Sequence, residues 1–191
     1  LVRSRGLGDV YKRQGLRQDL GCVQRLWQCP ALWRLSVGAD IVDLRQIRDR
    51  RRMTVDDILA AARECLETPF RHQGRIVGIG LDCAGVVVHV CRRLGLDIAD
   101  VEGYGRTPTE RTLERALASQ PTLCRVHDHS ERRPADVLLL RFARDPQHVA
   151  ILGHGTIIHA YELAGKCCEH RLSSFWSARI VAVYRFRGLA S

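Results

Sequence analysis

Cys83, His148 and His159 are residues of the types that acyl chemistry needs. A thiol attacks a carbonyl carbon once a base has taken its proton, and a further polar group has to hold that base. Cys83 follows a glycine-rich loop, Gly74 to Gly80, and opens an apolar stripe of Val86, Val87, Val90, Cys91 and Leu94. That spacing predicts a helix starting at the cysteine, where unpaired N–H groups and the positive dipole end favour a thiolate. A depressed thiol pKa is the expectation. His148 and His159 flank Gly153-His154 on two short segments rich in β-formers. A two-residue turn at Gly153-His154 sets the histidines directly opposite one another, Cβ atoms about 4.5–5.5 Å apart on one strand face. One imidazole can then orient the other. Each residue alone also fits a blander role, the cysteine as buried packing and the histidines as unrelated rings on a wet strand.

The elements that must position these residues are readable around them. Thr54 is a helix N-cap with Asp56 and Asp57 in the first turn, and Ile58, Ala61, Ala62, Cys65 and Leu66 repeat on one face. Thr68-Pro69 ends that helix. Gly95 stops the cysteine helix, and a third helix is expected from Pro108 or Thr109 to about Ser119. After Pro134 the pattern changes to strands at 137–142, 148–152, 156–161, 166–172 and 180–186. Helices followed by strands indicate an α+β fold with an antiparallel sheet.

Set in order, these segments resemble the NlpC/P60 family. Leu81-Asp82-Cys83-Ala84-Gly85 is similar to its Asp-Cys-Ser-Gly nucleophile motif, and Thr68-Pro69-Phe70 to its Thr-Pro-Tyr segment. Pro134-Ala135-Asp136-Val137-Leu138 resembles the Pro-Gly-Asp-Leu strand opening, Gln147-His148-Val149-Ala150-Ile151 the His-Val-Gly-Ile strand, and Ile158-His159-Ala160 the strand carrying the third polar residue. The resemblance runs over about residues 54–186 and is closest to short versions encoded in phage-tail and gene-transfer-agent clusters. It implies a papain-like fold, a nucleophile helix packed on an antiparallel sheet, and cysteine endopeptidase action on peptidoglycan stem peptides without metal or organic cofactor. Cys83 is then the nucleophile, His148 its base and His159 the orienter, with the Cys83 N–H at the oxyanion. Asp82, Phe70, His72 and Tyr104 are the expected substrate contacts, Asp82 serving equally well as a helix N-cap. Phe70, Ala84 and Ala135 depart from the family's Tyr, Ser and Gly. The alternatives are thiol-dependent amidase or acyl-transfer chemistry on other amides, and a non-catalytic structural tail protein keeping the fold.

Two further clusters carry polar donors. Cys167-Cys168-Glu169-His170 carries zinc-type donors but lacks a spaced second ligand pair, so packing is expected and no metal. His127-Asp128-His129 reads as a solvated loop.

The 191 residues are 46% apolar and 27% charged, a globular composition. The net charge of +9 sits mostly in residues 1–52, with 12 Lys/Arg against 5 Asp/Glu, while residues 53–191 carry 18 against 16. Nucleic-acid binding is therefore not expected of the catalytic segment. No apolar run reaches the roughly 18 residues of a spanning helix, and no signal peptide is visible. Free thiols are the expectation for the cysteines. Met53 is the only methionine. Residues 1–14 resemble translated adapter sequence, and 1–52 as a whole reads as a non-native or disordered leader before a domain at 53–191. Cytoplasmic synthesis followed by tail association or release on lysis fits that reading.

Overall fold

Thr54 opens a helix as a capping box. Its hydroxyl accepts from the Asp57 N–H at 3.2 Å, and the Asp57 carboxylate accepts from the Thr54 N–H at 3.0 Å. In this computed structural model the described residues are 53–106 and 110–190, with the backbone of 34–37 and 40–43. The chain divides into two units, Leu1–Arg51 and Arg52–Ser191. In the first, β1 (Arg34–Val37) and β2 (Asp40–Asp43) pair antiparallel. Strands of four residues are too short to show as a sustained alternation. The expectation for residues 1–14, and for the remainder of the leader, lies outside the described residues.

In the second unit, α1 spans Val55–Arg63 and buries Ile58, Leu59, Ala61 and Ala62. It stops before the expected Pro69 because the chain tightens into turns, with the Cys65 N–H bonded to the Ala62 carbonyl and Glu67 at φ 64°. A short ribbon, β3 (Arg75–Ile76) and β4 (Gly80–Leu81), leads into α2, Cys83–Leu94. The three consecutive valines of α2 are helical, and Gly95 closes it in the left-handed region at φ 67°. The third helix, α3, is shorter than expected at Thr112–Ala118, since Glu110 and Arg111 take positive φ.

Six strands then form one antiparallel sheet, in the order β5-β10-β6-β7-β8-β9. They are β5 (Leu123–Val126), β6 (Val137–Leu140), β7 (His148–Leu152), β8 (Thr156–Tyr161), β9 (Lys166–Arg171) and β10 (Ile180–Phe186), with the one-turn α4 (Ser174–Ser177) before the last. All but β5 fall where expected. The edge strand β5, four residues long, shows no alternation that marks it.

Both faces of the sheet are buried. Val137, Leu139, Val149, Ile151, Ile158 and Ala160 pack with α1 and α2, and Cys65, Cys91 and Cys167 join that core as small apolar groups. Leu138, Leu140, Ala150, Leu152 and Ile157 lie on the opposite face with Trp176. This two-sided burial explains why β6 is a continuous apolar run. The α+β architecture read from the sequence is the one found, with the cysteine helix laid on an antiparallel sheet.

Candidate active site

The Asp82 carboxylate fixes the start of α2. It accepts from the Gly85 N–H at 2.8 Å, the Gln73 N–H at 2.8 Å, Arg75 Nη1 at 2.9 Å and the Tyr104 hydroxyl. Arg75 in turn reaches Asp100 at 2.8 Å and the Tyr104 hydroxyl at 2.9 Å. The four acceptor positions of Asp82 are taken, so it is the helix cap and the centre of a buried network rather than an open subsite for a substrate amine. Glycines on either side of it are required by space. A side chain at Gly74 would meet the Gly80 carbonyl at 2.5 Å, and one at Gly85 would meet the Gly74 carbonyl at 2.3 Å.

Cys83 follows directly, half-buried, and lines a cleft of about 390 Å³ together with Phe70, His72, Asp82, Tyr104, Phe142 and His148. Backbone N–H groups of Val149, Ala84 and Cys83 itself reach the sulfur. Val149 is the neighbour of His148 at the start of β7, and Cys83 and His148 line the same cleft. Among the described residues no hydrogen bond joins the two side chains, a looseness common in unliganded thiol sites. The expected low thiol pKa is corrected here. Burial, and secondarily the Asp82 carboxylate, push Cys83 up to about 12, and the three amides do not offset this.

The histidine pairing differs from expectation in register but not in outcome. The ladder pairs Ile151 with Ile158 and Leu152 with Ile157, and the Gly153 N–H donates to the Thr156 carbonyl at 2.8 Å. The turn is therefore His154-Gly155, with Gly155 at φ 75°, rather than Gly153-His154. Continuing that offset sets Tyr161 across from His148 and moves His159 to the diagonal. A shift of two residues keeps both imidazoles on one face, and a diagonal neighbour is within ring reach. His148 Nε2 lies 2.6 Å from His159 Nδ1. Among the described residues Nδ1 of His148 has no partner and is free to meet the thiol.

Both rings are buried, His148 at 8% exposure and His159 at 0%. Burial lowers His148 to about 4, and burial with the neighbouring His148 and His170 lowers His159 to about 2. Burial thus disfavours the charged form of both the Cys83 thiol and the His148 imidazole, which favours a neutral resting pair. Trp176 walls these rings, its centroid 4.9 Å from that of His159 and 6.2 Å from that of His148, while Phe142 stands 5.8 Å from His148 and Tyr161 stacks on His159 at 5.3 Å.

Of the other expected contacts, Phe70, His72 and Tyr104 do line the cleft. His72 Nε2 donates to the Tyr104 carbonyl at 3.0 Å and holds that loop in place. The sequence did not mark Arg75, Phe142 and Trp176, and it marked His170 only as a zinc-type donor expected to pack; their roles depend on neighbours far away in the chain. Among the described residues His159, Cys168 and His170 offer one donor each within 4.8 Å of one another. Their two nitrogens are only 2.9 Å apart, a hydrogen bond, where two nitrogens on a tetrahedral zinc stand roughly 3.3 Å apart. Cys167 and Cys168 do face opposite sides, Cys167 in the core and Cys168 paired across from His159.

Solved structures share this arrangement of helix and sheet. An NlpC/P60 family protein from Bacillus cereus superposes with a TM-score of 0.52 at 18% identity, covering 69% of this chain and 40% of that one. The chain has the NlpC/P60 fold. A Staphylococcus aureus protein described as similar to lipoprotein, of the NLP/P60 family, gives 0.50 at 17% identity over 72% of this chain and 42% of that one. NlpC2 from Trichomonas vaginalis gives 0.52 at 13% identity over 81% and 50%. The chain thus spans two fifths to one half of the length of these NlpC/P60 structures. No protein-family model matches the sequence, and no curated protein matches it.

Proposed function

We propose that this protein is a cysteine endopeptidase that hydrolyses amide bonds in peptidoglycan stem peptides. The observation that carries the reading is the meeting of Cys83, at the tip of a capped helix, with β7 beside His148, whose far nitrogen is held by His159 at 2.6 Å. The NlpC/P60 fold and the motif resemblance over residues 54–186 support peptide amides of the cell wall as the substrate class. In this reading His148 Nδ1 takes the Cys83 proton as the sulfur bonds to the amide carbonyl carbon. The Cys83 N–H holds the oxyanion, and the imidazolium returns its proton to the leaving amine as the C–N bond breaks. Water, deprotonated by His148, then cleaves the thioester and frees the acid. The neutral resting pair makes substrate binding the trigger, since proton transfer happens only when the thiolate has a carbonyl to attack. The motif resemblance to phage-tail and gene-transfer-agent versions supports a setting on a tail or in a lysate.

Digestion of purified peptidoglycan by the protein and by Cys83→Ala, with fragments identified by mass, tests this. Loss of roughly a thousandfold or more in the variant is expected. Equal product from both removes Cys83 as nucleophile. Added amine acceptors separate hydrolysis from acyl transfer, since transfer gives a new amide in place of the free acid.

A further inference from the structure

The bond between His148 and His159 does not end the row of rings. His159 Nε2 lies 2.9 Å from His170 Nε2, and His170 Nδ1 lies 3.0 Å from the carbonyl oxygen of Arg171. A carbonyl only accepts, so His170 Nδ1 carries a hydrogen. In the neutral ring His170 Nε2 is then a lone pair, and His159 must donate to it from Nε2. That leaves His159 Nδ1 as an acceptor, and it takes the hydrogen of His148 Nε2. His148 Nδ1 is thereby bare, the one form that can receive a proton from a thiol.

We propose that His170 is a positioning residue, whose ring, backed by the Arg171 carbonyl, fixes the tautomer of His148 through His159. Its catalytic consequence rests on the Cys83–His148 reading above; the tautomer assignment does not. The reverse order of hydrogens would turn the His170 Nδ1 lone pair onto the Arg171 oxygen, acceptor against acceptor. Trp176 packs 4.9 Å from His159 and 5.1 Å from His170, centroid to centroid, and restricts the room for a water to replace the His170 ring. Without His170, the buried His159 gains by turning its N–H toward His148, because a buried donor without a partner is rarer and costlier than an acceptor without one. His148 would then hold its hydrogen on Nδ1, facing the thiol, and could not act as base.

Nitrogen-15 NMR of the full-length Cys83→Ala protein, labelled at histidine, reads the tautomer without turnover. His148 is expected with Nε2 protonated and Nδ1 bare, and in the added presence of His170→Phe with Nδ1 protonated in a large fraction of molecules. In the active protein, His170→Phe is expected to lower kcat about tenfold or more with little change in KM, and His170→Gln, whose amide oxygen accepts from His159, to restore most of it. An unchanged His148 tautomer in His170→Phe overturns the proposal whatever the activity, and so does an equal loss in the Phe and Gln variants. His170→Met serves the same comparison should the Phe variant not fold. If protein and Cys83→Ala digest peptidoglycan equally, the hydrolase reading fails while the NMR result still decides the tautomer.

Discussion

On one side of Cys83, Arg75, Asp82, Asp100 and Tyr104 form a network built on full charges. On the other, His148, His159 and His170 form a row of rings under Trp176, with His148 and His159 held neutral by burial. Both groups are linked by short hydrogen bonds, yet they do different work. The charged network is closed on itself and holds the end of α2 in place; a buried ion pair of this kind gives geometry more than net stability. Among the described residues the row leaves Nδ1 of His148 without a partner, and His148 lines the cleft. The first is rigid through its ion pairs, while in the second burial keeps His148 and His159 without charge.

The largest expected effect comes from breaking the charged side. Arg75→Met leaves the buried Asp82 carboxylate without its charged partner, while Asp100 keeps Arg92, at a cost of about 3 kcal/mol in unfolding free energy. A chemical denaturation midpoint equal to that of the parent would show that Asp82 is held by its amide donors alone.

Acid addresses the ring side. Folded, His148 stays neutral down to about pH 4 and His159 to about pH 2, whereas in the unfolded chain both take a proton from about 6.5 downward. The unfolded state therefore binds more protons across that window. The stability involved is complete above about pH 6.5 and falls as pH drops toward 4. Melting temperatures of the parent and of His159→Phe, followed from pH 7 to 4, should differ in slope, with the parent the steeper; identical slopes would put the acid sensitivity elsewhere.

Cys83 lies between the two sides, and its alkylation rate reports which governs it. With the thiol raised to about 12, the rate with iodoacetamide should climb steadily through pH 8–10 with no plateau near neutrality. A plateau below pH 7 would mean an ion pair with His148 exists before substrate arrives.

The smallest effect belongs to the backbone that braces β7. Ala135 holds φ 76°, and its N–H donates to the Leu152 carbonyl at 2.7 Å. Ala135→Gly relieves a left-handed conformation unfavourable to a residue with a Cβ and should stabilise by about 1 kcal/mol. A lower melting temperature in that variant would contradict the strain.

What could be read in advance divides along the same line. Helix periodicity, the Gly95 stop and short β-rich runs carried the α+β architecture, and the motif order carried the fold family, because both are written in local residue spacing. The shared face of His148 and His159 was also legible, since any even shift of register preserves it, although choosing Gly153 over Gly155 as the turn glycine misplaced the partner by two residues. Trp176 and Arg75 were not legible as parts of the site, and His170 stood out only as a metal-type donor, because their neighbours come from other strands and loops. The ionisation of Cys83 was misjudged for a related reason. A helix start is visible in sequence, while the depth at which its first side chain sits is not.

The position of β10 has a consequence for how the molecule comes into being. Residues 180–186 fill the gap between β5 and β6, so the latest of the described strands is an inner one. A ribosome must deliver nearly the whole second unit before β5 has any sheet neighbour, and until then the flanks of β5 and β6 lie open to pairing with other chains. A nascent chain cannot build this sheet early, and deleting residues 180–186 would split it rather than trim it.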